Sequence, residues 1–268
     1  MRTSARIRGC WILSVILLAN RGRQSINPPS SSPPGPLGDG LIAATNPATI
    51  ADVIAEMQSI DALLPANDGL KWFNRLYLMV TDQVRSTPPG GMWQNPAWLD
   101  HLDVVFAGLY FDALRASLAG QKTPSSWTAM FQARFTPNID RIQFALAGMN
   151  AHINHDLSLA LLKTSADLNL IPAPDGPEYR DYQSVNSLLG AAMPSALNML
   201  AGDALGLLAE DTGKVGRLLA FWNICSARDL AWDFANHLRD LTGPAQAAAL
   251  AMQDALTGAL GRAILAQV

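Results

Sequence analysis

An all-α fold, a single multi-helix bundle-like domain, is what this sequence predicts, and three observations predict it. Of its 268 residues 49% are hydrophobic and only 15% charged, ample material for a large core. Alanine and leucine dominate that apolar fraction while β-branched runs are scarce, which favours helix over strand. From about residue 46 onward, apolar residues recur at helical spacing between Pro/Gly breaks, with no strand pattern and no internal repeat.

Residues 1–23 read as a basic and apolar leader. Arg2, Arg6 and Arg8 precede the run CWILSVILLA (10–19), too short to span a bilayer but of the length of a signal-peptide apolar region. The small-x-small cleavage pattern is missing, because Asn20 and Arg21 follow Ala19, and no lipobox precedes Cys10. Secretion or membrane association through this leader therefore stands beside a cytoplasmic protein with an unstructured leader or a misassigned start. No transmembrane span is expected. Residues 24–45, beginning QSINPPSSSPPGPLGDG, are a Pro/Ser/Gly-rich linker, which places the helical domain at 46–268.

Asn46-Pro47 has the form of an N-cap with proline at the first helical position, followed by Ile50, Val53, Ile54 and Met57. That helix ends before Pro65. Asp68 caps a second, with Leu70, Phe73, Leu76, Tyr77 and Val80 as its stripe, up to the Pro88–Gly91 break. Pro96 opens a third that runs to Gly120, and Pro124–Phe135 is a short fourth. The longest starts at Pro137 or Ile139 and continues through HINHD to about Thr164. After a Pro/Gly loop at 172–177 comes a helix from Glu178 to about Leu200 containing Pro194, then a shorter helix and turn. Val215–Leu241 is helical, with Trp222, Cys225, Asp229, Trp232 and Asn236 on one seam. Gly243-Pro244 precedes an alanine-rich closing helix.

The net charge of −3 hides an asymmetry. Five of the 19 basic residues, all arginines, lie in residues 1–24 without an acid, leaving 14 basic against 22 acidic residues and −8 for the rest. So acidic a domain is a poor nucleic-acid binder, which must neutralise phosphates. Cys225 stands alone in the domain, so it forms no disulfide there and reads as a small core residue.

The run GMNAHINHD (148–156) carries the candidate chemistry. At about 100° per residue, His152, His155 and Asp156 share one helix face. Gly148, one turn earlier, leaves room beside His152, while Asn150 and Asn154 point to a neighbouring helix. Two imidazoles and a carboxylate at this spacing suit a divalent cation such as zinc, iron or manganese. In the third helix Asp103 projects inside the stripe of Leu99, Leu102, Phe106, Leu109, Tyr110 and Ala113, whereas Asp100 is marginal and His101 faces away. A carboxylate aimed at a core needs a partner, an arginine or a metal. Asp229, with Arg228 close by, poses the same question, and Asp181, Tyr182 and Asn186 form a further polar cluster. Each feature also has a structural reading: Asp156 as the partner of a protonated His152, the histidines as a buried polar network or plain surface, and the tryptophans as core.

The stretches WFNRLYLMVTDQV (72–84), LDVVFAGLYFDAL (102–114), IQFALAGMNAHINHDL (142–157) and DYQSVN (181–186) resemble the helical bacterial family known as domain of unknown function 5995. The resemblance covers about residues 50–240. It implies no activity, because that family is uncharacterised, but it draws attention to HINHD. A fainter likeness, Gly148-x3-His152-x3-Asp156, is similar to a helix motif of zinc-dependent phospholipases C and related helical nucleases. Those enzymes need further histidines and an N-terminal tryptophan. Here there are four histidines and Trp72 is internal, so at most a one- or two-metal remnant is implied.

The leading expectation is a metal-dependent hydrolase of an ester or phosphoester, with His152, His155 and Asp156 as ligands and Asp103 as a further ligand or base. Its substrate would be a small or lipid-like molecule. Two alternatives stay open: a non-catalytic bundle binding an apolar small molecule or lipid between Trp222, Trp232, Tyr77 and Phe106, and a metal-free helical isomerase or cyclase using Asp103 or His152 as acid or base.

Overall fold

The computed structural model describes residues 46–86, 92–201 and 223–266, and among them there is helix but no strand. The leader, the linker, the Pro88–Gly91 break and all of 202–222, Trp222 included, lie outside the described residues. The all-α, single-domain architecture is as the composition and periodicity predict.

Helix α1 (Ile50–Leu63) is capped by Thr49 rather than by Asn46. The Thr49 hydroxyl accepts the Asp52 N–H at 3.2 Å while the Asp52 carboxylate takes the Thr49 N–H at 3.0 Å, a reciprocal box that Asn46 could not form. The Asn46 side-chain oxygen instead accepts from Arg115. Asp68 starts α2 (Leu70–Ser86) as expected, taking the Leu70 N–H at 3.0 Å. Its carboxylate also receives the buried Arg134 guanidinium. Helix α3 (Pro96–Leu118) opens at Asn95, where Asp181 accepts the N–H groups of Gln94 and Asn95. Helix α4 spans Ser125–Ala133.

The longest rod begins later than expected, as α5 (Arg141–Ala151), because Asn138 sits at φ 63 and the Gln143 side chain reaches back to the Asp140 N–H. It passes through a π-helical turn, His152–Asp156, into α6 (Leu157–Asp167). The left-handed Asn169 (φ 47) ends it. Helices α7 (Pro177–Ala201), α8 (Ile224–Asp240) and α9 (Gly243–Leu265) complete the described fold.

Two apolar clusters make the core. One joins α1, α2, α4, α5, α9, the C-terminal half of α3 and the C-terminal end of α7. The other joins the N-terminal half of α3 with α6, α7 and α8. The π-turn lies at their junction, Ala151 packing into the first cluster and Ile153 and Leu157 into the second. Its neighbour α5 is buried almost all round, which is why its sequence is apolar on every face.

Close approach here depends on glycine. A Cβ on Gly148 would lie 2.3 Å from Cγ of Phe73, so the space beside His152 is filled by that ring. We predict that Gly148→Ala costs about 1–3 kcal/mol through overpacking. An unchanged urea midpoint would contradict this.

Candidate functional site

The π-turn presents its side chains differently from an α-helix. The extra residue per turn, seen in the Leu157 N–H bonding to the His152 carbonyl, draws both imidazoles onto one carboxylate. His152 Nδ1 lies 3.0 Å from Oδ2 of Asp156, and His155 Nδ1 lies 2.7 Å from its Oδ1. The indole Nε1 of Trp127, on α4, donates to the same Oδ2 at 2.9 Å. Asp156 is 2% exposed, so three N–H donors replace the water that it lost.

His152, His155 and Asp156 thus come together as the sequence suggests, but they converge on Asp156 itself. Among the described residues no group of three or more His, Cys, Asp or Glu side chains stands at spacing suited to a metal ion. On its far side His155 Nε2 lies 3.7 Å from Asp254 of α9, whose carboxylate caps α4 through the Ser125 and Ser126 N–H groups.

The protonation states follow from these contacts. Burial disfavours charge on Asp156, but its hydrogen bonds to His152 and His155 outweigh that and hold its pKa below the ordinary value. Burial also opposes charge on His155, yet the hydrogen bond to Asp156 and the charges of Asp156 and Asp254 raise its pKa. For His152 burial wins, and its pKa is lowered despite Asp156. The network therefore holds Asp156 as carboxylate, His155 leaning to imidazolium and His152 neutral. A neutral His152 must carry its proton on Nδ1, facing Asp156, which leaves a lone pair on Nε2.

That nitrogen is the unusual atom of the site. His152 is 2% exposed, and its Nε2 has no hydrogen-bond partner among the described residues. The ring stacks on Phe106 of α3 (centroids 3.5 Å apart, planes at 6°), with Tyr77 of α2 against it at 4.6 Å. It lines a cavity in which the centres of water-sized atoms have about 80 Å³, several times the roughly 10–15 Å³ that one water needs.

Asp103, one helical turn before Phe106, lines the same cavity. It is half-buried and has no hydrogen bond or ion pair among the described residues. Burial pushes its pKa up to about 7, Arg228 opposing and Asp100 adding to the rise. A third polar group is Arg228 of α8, buried and, among the described residues, hydrogen-bonded to neutral oxygens, Asn186 Oδ1 at 2.8 Å and the Tyr182 carbonyl at 2.7 Å. Because the folded-state pKa of Asp103 lies above its unfolded value near 4, the folded protein holds the extra proton between those values, and stability falls as pH rises through that window. Asp103→Asn should accordingly stabilise the protein more at pH 8 than at pH 4, as urea titrations at the two pH values would read; an equal effect at both would contradict the assignment.

Other expectations fare unevenly. Asn150 reaches the Thr257 carbonyl of α9 at 2.9 Å, the neighbouring-helix contact expected of it, and His101 faces away to Asp167. Asp229 does not face the core: it is exposed and accepts from Gln183, while Arg228 turns inward. Cys225 is half-buried rather than core. Tyr77 and Phe106 line the cavity, but Trp232 packs away from it against Trp98, Tyr179 and Tyr182. Three contributors escaped the sequence reading. Trp127 looked like core, although a buried indole N–H needs an acceptor. Arg228 looked like a partner for Asp229. Asp254, the lone acid of an alanine-rich helix, was not singled out.

Fold and site together define an all-helical protein with a carboxylate-anchored histidine at the wall of an apolar cavity. The chain belongs to the family of unknown function DUF5995, whose match spans residues 50–267. No curated protein and no solved structure matches it. The likeness to zinc-dependent phospholipases C gains no support from these comparisons. No described helix is long and apolar enough to cross a membrane.

Proposed function

We propose that the cavity is the active site of an acid–base enzyme acting on a small, largely apolar molecule that carries a carbonyl or anionic group. The observation that carries this reading is the buried Nε2 of His152, without a partner among the described residues while Nδ1 is held by Asp156, in a ring that lines one cavity with Asp103 and Arg228. Neutral imidazole is a competent proton acceptor at this position, and a carboxyl with a pKa of about 7 is suited to return a proton near neutrality. Arg228 would oppose negative charge developing on the substrate oxygen. The reaction class is proton transfer, isomerisation foremost. Incubating the protein in D2O with panels of small carbonyl compounds should produce deuterium incorporation beside the carbonyl, lost in His152→Gln and in Asp103→Asn. Exchange undiminished in His152→Gln would refute the assignment.

A second reading, metal-dependent ester or phosphoester hydrolysis, is favoured by one observation. A carboxylate on the far nitrogen is also how proteins orient metal-binding histidines. In that case His152 Nε2 and Asp103 would be the ligands, with Asp156 and His155 behind them. Near-stoichiometric zinc, iron or manganese by elemental analysis would support it. Thermal stability unmoved by those ions would weigh against it.

A further inference from the structure

The cavity beside His152 has a neighbour. A second cavity, with about 60 Å³ for the centres of water-sized atoms, lies between α2, α5 and α7. Five residues wall both spaces: Leu76, Val80, Met149, Leu189 and Ile224. Every described side chain around the second is apolar, whereas Asp103, His152, Arg228, Tyr77 and Thr81 all line the first. Polar groups are therefore gathered at one end of a two-chambered space and excluded from the other. Such a division fits a ligand with one polar head and a hydrocarbon tail, since a compact polar molecule would gain nothing from the second chamber. The head should be anionic, because Arg228 is buried and its hydrogen bonds among the described residues go to neutral oxygens.

We propose that the ligand is a straight-chain aliphatic acid carrying a carbonyl near its carboxylate head, with simple aliphatic carboxylates as its unreactive analogues, the head at Arg228 and the tail threading past Met149 and Leu189 into the second chamber. This rests on the reading of the first cavity as the reaction site, and adds the substrate class to it. Tail burial makes a quantitative demand. Each methylene taken from water should tighten binding about three- to fourfold until the second chamber is full, after which the gain stops.

The experiment is isothermal titration of the whole protein with straight-chain carboxylates of four to sixteen carbons, each below its micelle concentration, and with the matching alcohols. Affinity should climb with length to a cut-off, and the alcohols should bind at least tenfold more weakly. Ala196→Phe, which fills the second chamber alone, should shorten the cut-off, and Leu197→Ala, which enlarges it, should lengthen it. The pair guards against misfolding, because one variant narrows and the other widens the same space. A cut-off that neither folded variant moves would overturn the proposal. So would affinity independent of length, which would nonetheless leave the proton-transfer reading standing. Deuterium exchange absent from every carbonyl compound, with the length series intact, would overturn that reading and leave the ligand class.

Discussion

Asp156→Ala should lower the stability of the domain by about 3–5 kcal/mol, the largest effect expected of any single substitution in the site. Among the described residues this carboxylate is the one acceptor for His152 Nδ1, His155 Nδ1 and the Trp127 indole N–H, all of them buried. Its loss strands three donors, each costing about 1–3 kcal/mol less whatever the site recovers by relaxing, so the sum is not additive. His155 also loses the stronger of its two anionic neighbours and is left facing Asp254. For a domain of this size about 1 kcal/mol corresponds to roughly 2–4 °C, so the melting temperature should fall on the order of 10 °C. Thermal unfolding followed by circular dichroism reads it directly. A drop of only a degree or two would mean that Asp156 is not the hub described above.

The second large effect falls on turnover rather than folding. Asp156→Asn keeps the shape of the side chain but offers an amide N–H where the carboxylate offered a lone pair. Because the Trp127 N–H holds an acceptor at the Oδ2 position, the amide oxygen stays there and the amide N–H faces His155, so His152 keeps its tautomer but loses the negative charge behind it. That charge would stabilise the imidazolium formed when His152 takes a proton. We expect turnover to fall about 10²–10³-fold, less than in His152→Gln, with a smaller stability loss than in Asp156→Ala. Full activity in Asp156→Asn would show that the charge on Asp156 does not matter.

How far the sequence reaches is instructive residue by residue. Helix boundaries set by proline and by Asp68 are local chemistry and were legible, because a missing N–H or a single capping oxygen acts within one turn. The start of α1 was misplaced because Thr49 and Asp52 form a reciprocal box that outcompetes Asn46-Pro47. The clustering of His152, His155 and Asp156 was legible from spacing. Their target was not, since at the α-helical angle the three point outward together, while the π-turn folds both imidazoles onto Asp156. Nothing local reveals that Trp127, 29 positions away, supplies the third donor. The same holds for Arg228, whose inward turn depends on oxygens of Tyr182 and Asn186 on another helix. The aim of Asp103 into the apolar stripe was visible from periodicity, and it is this that led to the cavity.

All of these functional expectations depend on the protonation of one ring. Long-range ¹H–¹⁵N correlation of the four histidines, with His152 assigned by substitution, tests it without any substrate. At pH 7 His152 should be neutral, protonated on Nδ1, with Nε2 showing the shift of an unprotonated nitrogen. An imidazolium at that pH, or the proton on Nε2, would contradict the account.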